Sequence, residues 1–396
     1  MVFMAGDNSL DSAGTVDLNE MKRVGTTADV NVIAQFDSTR AKGANRYCLR
    51  KGGPLAADLI AALGETNTGD PKCLTAFIDW GVKNYPADHY LLVLWNHGQG
   101  WDDTDIYAGE RSRSLTRLTP TSKLRRALFS TSVRNALSKT KGDANTRAIL
   151  LDDGAKDFLD NHEMQAVLAS AKKTLKRNVD ILGMDACLMS MAEVGYQICG
   201  SVDFTVGSEQ TEPGDGWPYD TILAALTKNP SLTPRDVSQL IANKYLASYG
   251  DKDGVTQSAC DLSKSIALAT AVKPLATALS ASLNTGASVQ KILSARARVQ
   301  TYEVPDYVDL VDLCSLLAAA AISPAITAAC KTVISSVQND YVITYGFKGA
   351  TLKNSHGVSI YFPTQAVSPL YAGLDFNKKT GWDKFLKTFL VSIRSR

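Results

Sequence analysis

Two apolar runs, Tyr90-Leu91-Leu92-Val93-Leu94-Trp95 and Val179-Asp180-Ile181-Leu182-Gly183-Met184, decide the fold of this chain. Continuous runs of this kind are typical of strands that are buried on both faces of a sheet. A sheet buried on both faces is usually a parallel one with helices packed against each side. The two runs therefore predict an α/β fold.

The chain around these two runs alternates short apolar stretches with amphipathic ones. This alternation indicates a mostly parallel sheet covered by helices. Further strands are predicted at 2–5, 30–36, 46–50, 147–151 and 204–206, and helices at 11–24, 74–82, 161–175 and 188–199.

Beyond about residue 260 the chain is rich in Ala and Ser, and helical patterns dominate. Helices are predicted at 262–280, 289–299 and 308–337, the last interrupted at Pro324, and late strands at 341–345 and 357–362. The expected organisation is an α/β core over 1–260, followed by a mainly helical subdomain over 261–396 whose two late strands return towards the core.

Composition excludes several classes of protein. The 396 residues carry 42 Lys and Arg against 40 Asp and Glu, so the net charge of +2 does not favour a nucleic-acid partner. The seven Cys form no CxxC pair, which argues against a zinc ribbon or a thioredoxin-type site. No apolar run reaches the ~20 residues of a membrane span. No signal peptide is recognisable at the start of the sequence.

Reactive side chains follow both central strands. His97 and Gly98 come directly after the first run, and Asp185 and Cys187 after the second. Catalytic groups in open α/β sheets gather at the carboxyl ends of strands. An imidazole can activate a thiol, and the amino end of the predicted helix 188–199 would favour the thiolate. The backbone N–H groups of Gly98 and Cys187 are candidate donors to an oxyanion.

The same stretches resemble a known family. The His97-Gly98 and Ala186-Cys187 pairs, each after an apolar block, resemble the caspase-like (clan CD) cysteine peptidases. Five longer stretches narrow the resemblance to the clostripain family (C11), over roughly residues 1–225: Met4-Ala5-Gly6-Asp7-Asn8, Asp17-Leu18-Asn19-Glu20-Met21, Trp95-Asn96-His97-Gly98-Gln99-Gly100-Trp101, Asp185-Ala186-Cys187-Leu188-Met189 and Pro213-Gly214-Asp215-Gly216-Trp217-Pro218-Tyr219. The resemblance implies a caspase-like α/β/α sandwich with a helical C-terminal subdomain, and an endopeptidase with a His97–Cys187 dyad.

By the same resemblance Asp185 maps onto the acidic residue that selects a basic side chain before the cleaved bond, and Thr211 lines that pocket. Residues two apart in a strand share a face, so Asp185 should point the same way as Cys187, roughly 6–7 Å along the chain. A carboxylate there can form a bidentate pair with a guanidinium, and a Lys ammonium would fit less specifically. Asp185 could instead orient His97 or have a structural role.

A basic segment lies between the two reactive strands. Residues 111–147 contain ten Lys and Arg and one acidic residue, Asp143. A solvated basic surface explains this composition, whereas a nucleic-acid patch is disfavoured because Phe129 is its only aromatic residue. The resemblance adds a third interpretation, self-cleavage into light and heavy chains that remain associated. The candidate processing residues are Arg111, Arg113, Arg117, Arg125, Arg126 and Lys141.

No cofactor is expected to be required, although calcium use by some family members leaves that metal open. The stretch 251–254 (DKDG) lacks the Glu of an EF-hand, since Leu262 stands at its twelfth position, and is interpreted as a hairpin turn. Asp102, Asp103 and Asp105 could bind a cation. The expected partners are peptides with a basic residue before the cleaved bond, and the resemblance implies a bacterial, secreted or surface-exposed protein. The competing hypothesis is an inactive caspase-like module that only binds peptides.

Overall fold

The computed structural model describes residues 1–41, 43–102 and 149–395. These residues form two compact units. Unit 1 comprises Met1–Cys187 and Glu212–Thr233, and unit 2 comprises Leu188–Thr211 and Pro234–Arg396. The boundary at residue 260 expected from the sequence stays a prediction.

Unit 1 is built on a mixed sheet with the strand order β8-β5-β1-β2-β3-β4. The four strands from β8 to β2 are parallel, and β3 and β4 are antiparallel additions at one edge. The parallel part confirms the predicted α/β fold, and both apolar runs lie within it. The strands of unit 1 are β1 (Val2–Gly6), β2 (Ile33–Ser38), β3 (Gly43–Cys48), β4 (Leu59–Gly64), β5 (Leu91–Trp95), β6 (Ile149–Asp152), β7 (Asp157–Leu159) and β8 (Val179–Asp185).

The helices of unit 1 begin and end where local chemistry directs. Helix α1 (Asp11–Val24) buries Leu18 and Met21 and ends at Gly25, whose φ of 70° few other residues adopt. Helix α2 (Pro71–Asn84) has Asp70 as its N-cap and proline in its first turn. Helix α3 (Asn161–Leu175) starts with a capping box. The fourth helix of unit 1 is α5 (Tyr219–Lys228), which follows Pro218 and packs against α1.

Unit 2 contains the antiparallel strands β9, β10 and β12 and a separate pair, β11 and β13. The late strand expected at 341–345 therefore pairs with β10, whereas the one expected at 357–362 pairs with β11. The strand bounds are β9 (Val202–Gly207), β10 (Thr256–Asp261), β11 (Tyr307–Asp309), β12 (Val342–Phe347) and β13 (Ser359–Tyr361).

Helices form the larger part of unit 2, as the composition predicted. The interruption expected at Pro324 is real, since Pro324 opens a new helix capped by Ser323. The helices are α4 (Ala192–Ile198), α6 (Pro234–Ser248), α7 (Ser265–Ser282), α8 (Gly286–Arg298), α9 (Leu310–Ala319), α10 (Pro324–Ser336), α11 (Asp375–Thr380) and α12 (Trp382–Arg394). The turn at 251–254 connects helix α6 to strand β10, so its interpretation as a hairpin turn was wrong.

One helical stretch, Leu262–Ser282, is long and apolar enough to cross a membrane by length and composition alone. Core helices of soluble proteins pass the same test. One face of this stretch is buried within unit 2, through Leu268, Val272, Leu275 and Leu279. A single helix of this kind is weak evidence for a membrane span.

Candidate active site

The pairing of β5 with β8 sets the geometry of the site. The two strands are parallel, with Trp95 opposite Asp185, and the Asn96 N–H donates to the Asp185 carbonyl at 3.2 Å. His97 and Cys187 each follow this pair by two residues. Both residues therefore lie just beyond the carboxyl ends of neighbouring strands. A thiol and the base that activates it must be close together in this way.

Two buried amides hold the ends of the strands around His97. The Asn8 side chain donates to the carbonyls of Ala5 and Leu151, at 2.9 and 2.8 Å. The Asn96 side chain donates to the same two carbonyls, and its Oδ1 accepts from the His97 N–H. Both side chains are nearly inaccessible, so the position of the His97 backbone is strongly determined.

His97 has a neighbour that the sequence did not indicate. Its Nε2 lies 3.2 Å from Ser9 Oγ, and the tautomer decides which of the two donates. Ser9 follows β1, which pairs with β5. The signal was therefore present in the strand order, but only once the order was known. Gly98, the proposed oxyanion donor, forms an antiparallel bridge with Ile149.

Cys187 lies in a turn rather than at the start of a helix. Helix α4 begins at Ala192, so the predicted helix 188–199 was wrong over its first four residues. Leu188, next to the thiol, has a φ of 65°, a conformation that cannot continue a helix. Support of the thiolate by a helix N-terminus therefore does not follow from this geometry.

The thiol of Cys187 faces the chain at Glu212. The Glu212 N–H lies 3.3 Å from Sγ and donates to it. Burial raises the pKa of Cys187 to about 12, and the nearby charges of Glu212 and Asp185 act in the same direction. The free site therefore holds a neutral thiol.

Asp185 is almost fully buried, with 5% of its surface exposed. The Tyr219 hydroxyl donates to its Oδ2 at 2.7 Å. Burial raises its pKa to about 6, against the opposing hydrogen bonds from the Tyr219 hydroxyl and the Trp217 N–H. Asp185 is therefore a carboxylate at neutral pH, within electrostatic reach of Cys187.

The other predicted residues are placed as follows. Thr211 is half-buried, and its N–H donates to Gln210 Oε1 at 2.9 Å. It directly precedes Glu212 in the chain. Among residues 1–41, 43–102 and 149–395, no group of three or more His, Cys, Asp or Glu is arranged to hold a metal. Asp103, Asp105 and all six candidate processing residues (Arg111, Arg113, Arg117, Arg125, Arg126 and Lys141) lie outside the described residues.

Comparison with known proteins identifies a family. The clostripain family model matches residues 2–116 and 135–389. Clostripain of Hathewaya histolytica is 34% identical over 167 residues, which are 40% of this chain and only 24% of that protein.

Solved structures share the fold over nearly the whole chain. A secreted C11 cysteine protease from Bacteroides thetaiotaomicron, in complex with an irreversible peptide inhibitor, has a TM-score of 0.65 and 20% identity, covering 96% of this chain and 98% of its own. An inactive zymogen C11 protease from Parabacteroides distasonis has a TM-score of 0.66 and 21% identity, covering 96% of both chains. These likenesses confirm the caspase-like fold. The chain therefore belongs to the clostripain family (C11) of cysteine peptidases.

Proposed function

We propose that this protein is a cysteine endopeptidase that cleaves after Arg or Lys, with Cys187 as nucleophile and His97 as its acid–base partner. The observation that carries the proposal is the β5–β8 register, because it sets a thiol and an imidazole beyond the same pair of strand residues. The peptide inhibitor bound to the B. thetaiotaomicron protease supports peptide substrates for this fold.

The chemistry follows from the neutral thiol. His97 takes the proton of Cys187 as Sγ attacks the substrate carbonyl, so that charge separates only when substrate is bound. The N–H groups of Gly98 and Cys187 are proposed to stabilise the oxyanion. The imidazolium then protonates the leaving amine, and water attacks the thioester with His97 as base, which releases the acid and restores the thiol.

Preference for a basic side chain is assigned to Asp185. Its carboxylate is buried and ionised at neutral pH, so a substrate cation would gain a charge-assisted pair that a neutral side chain cannot form. Orienting His97 is the competing role for Asp185, and the expected role of Thr211 in lining the same pocket stays a prediction.

Reporter peptides ending in Arg, Lys or Leu test the assignment. We expect the wild type to hydrolyse the Arg and Lys reporters, and Cys187→Ala and His97→Ala to lose this activity. Cys199→Ala and His89→Ala serve as matched controls that retain it. Asp185→Ala should abolish the preference for basic residues. An Asp185→Ala protein that still cleaves after Arg as the wild type does would remove Asp185 from this role.

The basic segment is proposed to be cut by the enzyme itself, within residues 111–141. The zymogen among the structural neighbours supports a maturation step. A cut there would leave β5 in the light chain and β8 in the heavy chain. Their five paired residues each, Leu91–Trp95 and Ile181–Asp185, would keep the two chains together.

Maturation is tested by incubating the wild type beside Cys187→Ala and sequencing the fragments. Only the wild type should be cut, and its two fragments should elute together until denaturant is added. Equal cleavage of both proteins would rule out self-processing.

Two further expectations belong to this proposal. No cofactor is proposed to be required, so a chelator should leave hydrolysis unchanged, and a loss restored by added calcium would contradict this. Secretion is proposed by analogy with the B. thetaiotaomicron protease. An inactive peptide-binding module, the competing hypothesis, would bind the reporters but hydrolyse none of them.

A further inference from the structure

Asp17 is a buried carboxyl to which the proposed mechanism gives no role. It lies in the Asp17-Leu18-Asn19-Glu20-Met21 stretch of helix α1 and is 2% exposed. Its Oδ2 accepts a hydrogen bond of 2.6 Å from Trp95 Nε1. Trp95 in turn pairs with Asp185 across strands β5 and β8. Asp17 therefore binds the side chain of the residue that is paired with the proposed specificity residue.

The two carboxyls converge at Gly216. A methyl group placed on Gly216 would lie 3.4 Å from both oxygens of Asp185 and 3.6 Å from Oδ2 of Asp17. The two side chains come from different elements, helix α1 and strand β8, yet oxygens of both surround one point. Only a residue without a Cβ leaves this point open.

The electrostatics make the pair unequal. Burial, followed by the charges of Asp185, Glu20 and Asp215, raises the pKa of Asp17 to about 9, against the hydrogen bond from Trp95. Asp185, with a pKa of about 6, keeps its charge at neutral pH. Tyr219 is neutral, since burial holds its pKa well above the ordinary value. The free pair therefore carries one negative charge and one proton.

A structural role for Asp17 would be to accept the Trp95 indole N–H. A neutral amide oxygen would serve that purpose equally well. What distinguishes a carboxyl is that it can ionise when a cation arrives beside it.

We propose that Asp17 is a second specificity-determining residue, which joins Asp185 in binding the guanidinium of an arginine before the cleaved bond. A guanidinium has five N–H donors in a planar fork, so it can donate hydrogen bonds to two carboxylates at once. An ammonium is a compact charge without this planar arrangement of donors. The pocket would therefore favour Arg over Lys. This inference rests on the proposed function, in that it takes the basic side chain to enter beside Asp185.

Binding of the cation moves a proton. The guanidinium favours the ionised form of Asp17, so the Asp17 proton passes to solvent as the cation binds. Between about pH 6 and about pH 9, affinity for a guanidinium should rise by up to about tenfold per pH unit, and it should level off above the pKa of Asp17. If Asp17 took no part, affinity would follow Asp185 alone and would be flat above about pH 7.

The experiment uses n-butylguanidinium and n-butylammonium as competitors of reporter hydrolysis, over this pH range. Asp17→Asn keeps an acceptor for Trp95 but cannot ionise. We expect its inhibition constant for butylguanidinium to weaken by roughly tenfold or more, with butylammonium less affected and the pH dependence lost. Asp29→Asn, an exposed carboxylate just beyond the same helix, is the matched control and should retain both.

Calorimetric titration of wild type with butylguanidinium, in two buffers of different ionisation enthalpy, counts the released proton directly. This measurement needs neither hydrolysis nor a stable Asp17→Asn protein. Absence of proton release, or equal weakening for both cations in Asp17→Asn, would overturn the role of Asp17. Wild-type protein that releases the proton but hydrolyses neither the Arg nor the Lys reporter would instead refute the proposed function.

Discussion

At the scale of single residues, the thiol proposed as the nucleophile is not ionised in the free protein. Cys187 is half-buried, its thiol has a pKa of about 12, and its sulfur accepts the Glu212 N–H. Reactive cysteines in other proteins owe their low pKa to a positive neighbourhood, whereas the charges around Cys187 are negative. In the proposed mechanism, activation therefore comes from His97 with substrate bound, or from a change at Glu212.

This arrangement predicts the behaviour of Glu212→Gln. The substitution keeps the backbone donor to Sγ but removes a charge that raises the pKa of Cys187. We expect the pKa of Cys187 to fall and its alkylation by iodoacetamide at neutral pH to become several-fold faster. Rates are measured against pH, with labelling assigned by mass spectrometry.

Two variants serve as controls for this alkylation measurement. Cys187→Ala identifies the background from the other six cysteines. Asp220→Asn, which removes a surface charge paired with Arg23, should leave the rate unchanged. A wild-type rate that is already flat above about pH 8 would contradict the raised pKa.

Sequence reasoning found the residues that follow the two central strands, because apolar runs ending in a reactive side chain are visible without a structure. It did not assign Ser9 or Asp17 to the site, and it gave Glu212 no role there. Ser9 and His97 are 88 residues apart, and Glu212 and Cys187 are 25 apart, so only the strand order and the turns bring them together. For Asp17 the motif was visible, but nothing in it indicated a neighbour in β8.

At the scale of elements, prediction succeeded where local chemistry decides. Helices Asp11–Val24 and Asn161–Leu175 were predicted with their observed bounds, since a helical apolar face and end signals coincide in both. It failed at residues 188–191 (Leu-Met-Ser-Met), which are mostly apolar and compatible with a helix. There the left-handed backbone of Leu188 overrides local preference. Strand β4 was missed because its sequence, LIAALG, lacks the alternation of apolar and polar residues that marks a half-buried strand. In the structure its side chains are largely exposed.

The turn before helix α5 supports a prediction about Gly216. Gly216→Ala would add a Cβ at a φ of 57°, beside the oxygens of Asp185 and Asp17. We expect kcat/KM for the Arg reporter to fall through a higher KM, together with a stability loss of about 1 kcal/mol from backbone strain.

Gly52→Ala is the control for that experiment. Gly52 has a φ of 69°, and nothing lies within 4 Å of the position that an added methyl group would take, so this variant carries the strain without the crowding. It should lose similar stability in a thermal melt and keep its KM. Equal KM values for both variants and the wild type would show that no substrate group approaches Gly216.

At the scale of the whole molecule, several buried carboxyl groups have raised pKa values. Burial raises the pKa of Asp7 and Asp185 to about 6, of Asp37 and Glu193 to about 7, and of Asp17 to about 9. Each of these pKa values lies above the value expected in the unfolded chain. The folded state therefore takes up protons at a higher pH than the unfolded state does.

The sign of the pH dependence follows. When the folded pKa is raised, stability is lowest above it and is regained as pH falls towards the unfolded pKa. We expect the midpoint of thermal unfolding to rise as the pH is lowered from about 8 to about 5. The measurement uses Cys187→Ala to avoid self-digestion. Asp58, whose carboxylate is bound by Lys22 and Arg50 and whose pKa is lowered, opposes this only at more acidic pH. A midpoint that falls steadily as the pH is lowered over this range would contradict the raised pKa values.

The strand pairing of β5 with β8 has a last consequence. Residues 96–178 separate β5, which His97 follows, from β8, which Cys187 follows. If the chain is opened between them, the proposed catalytic pair belongs to two polypeptides, and activity becomes subject to mass action. Specific activity would then fall on extreme dilution, and light and heavy chains from different preparations could exchange. An intact chain has neither property, so dilution alone would distinguish the two forms of the enzyme.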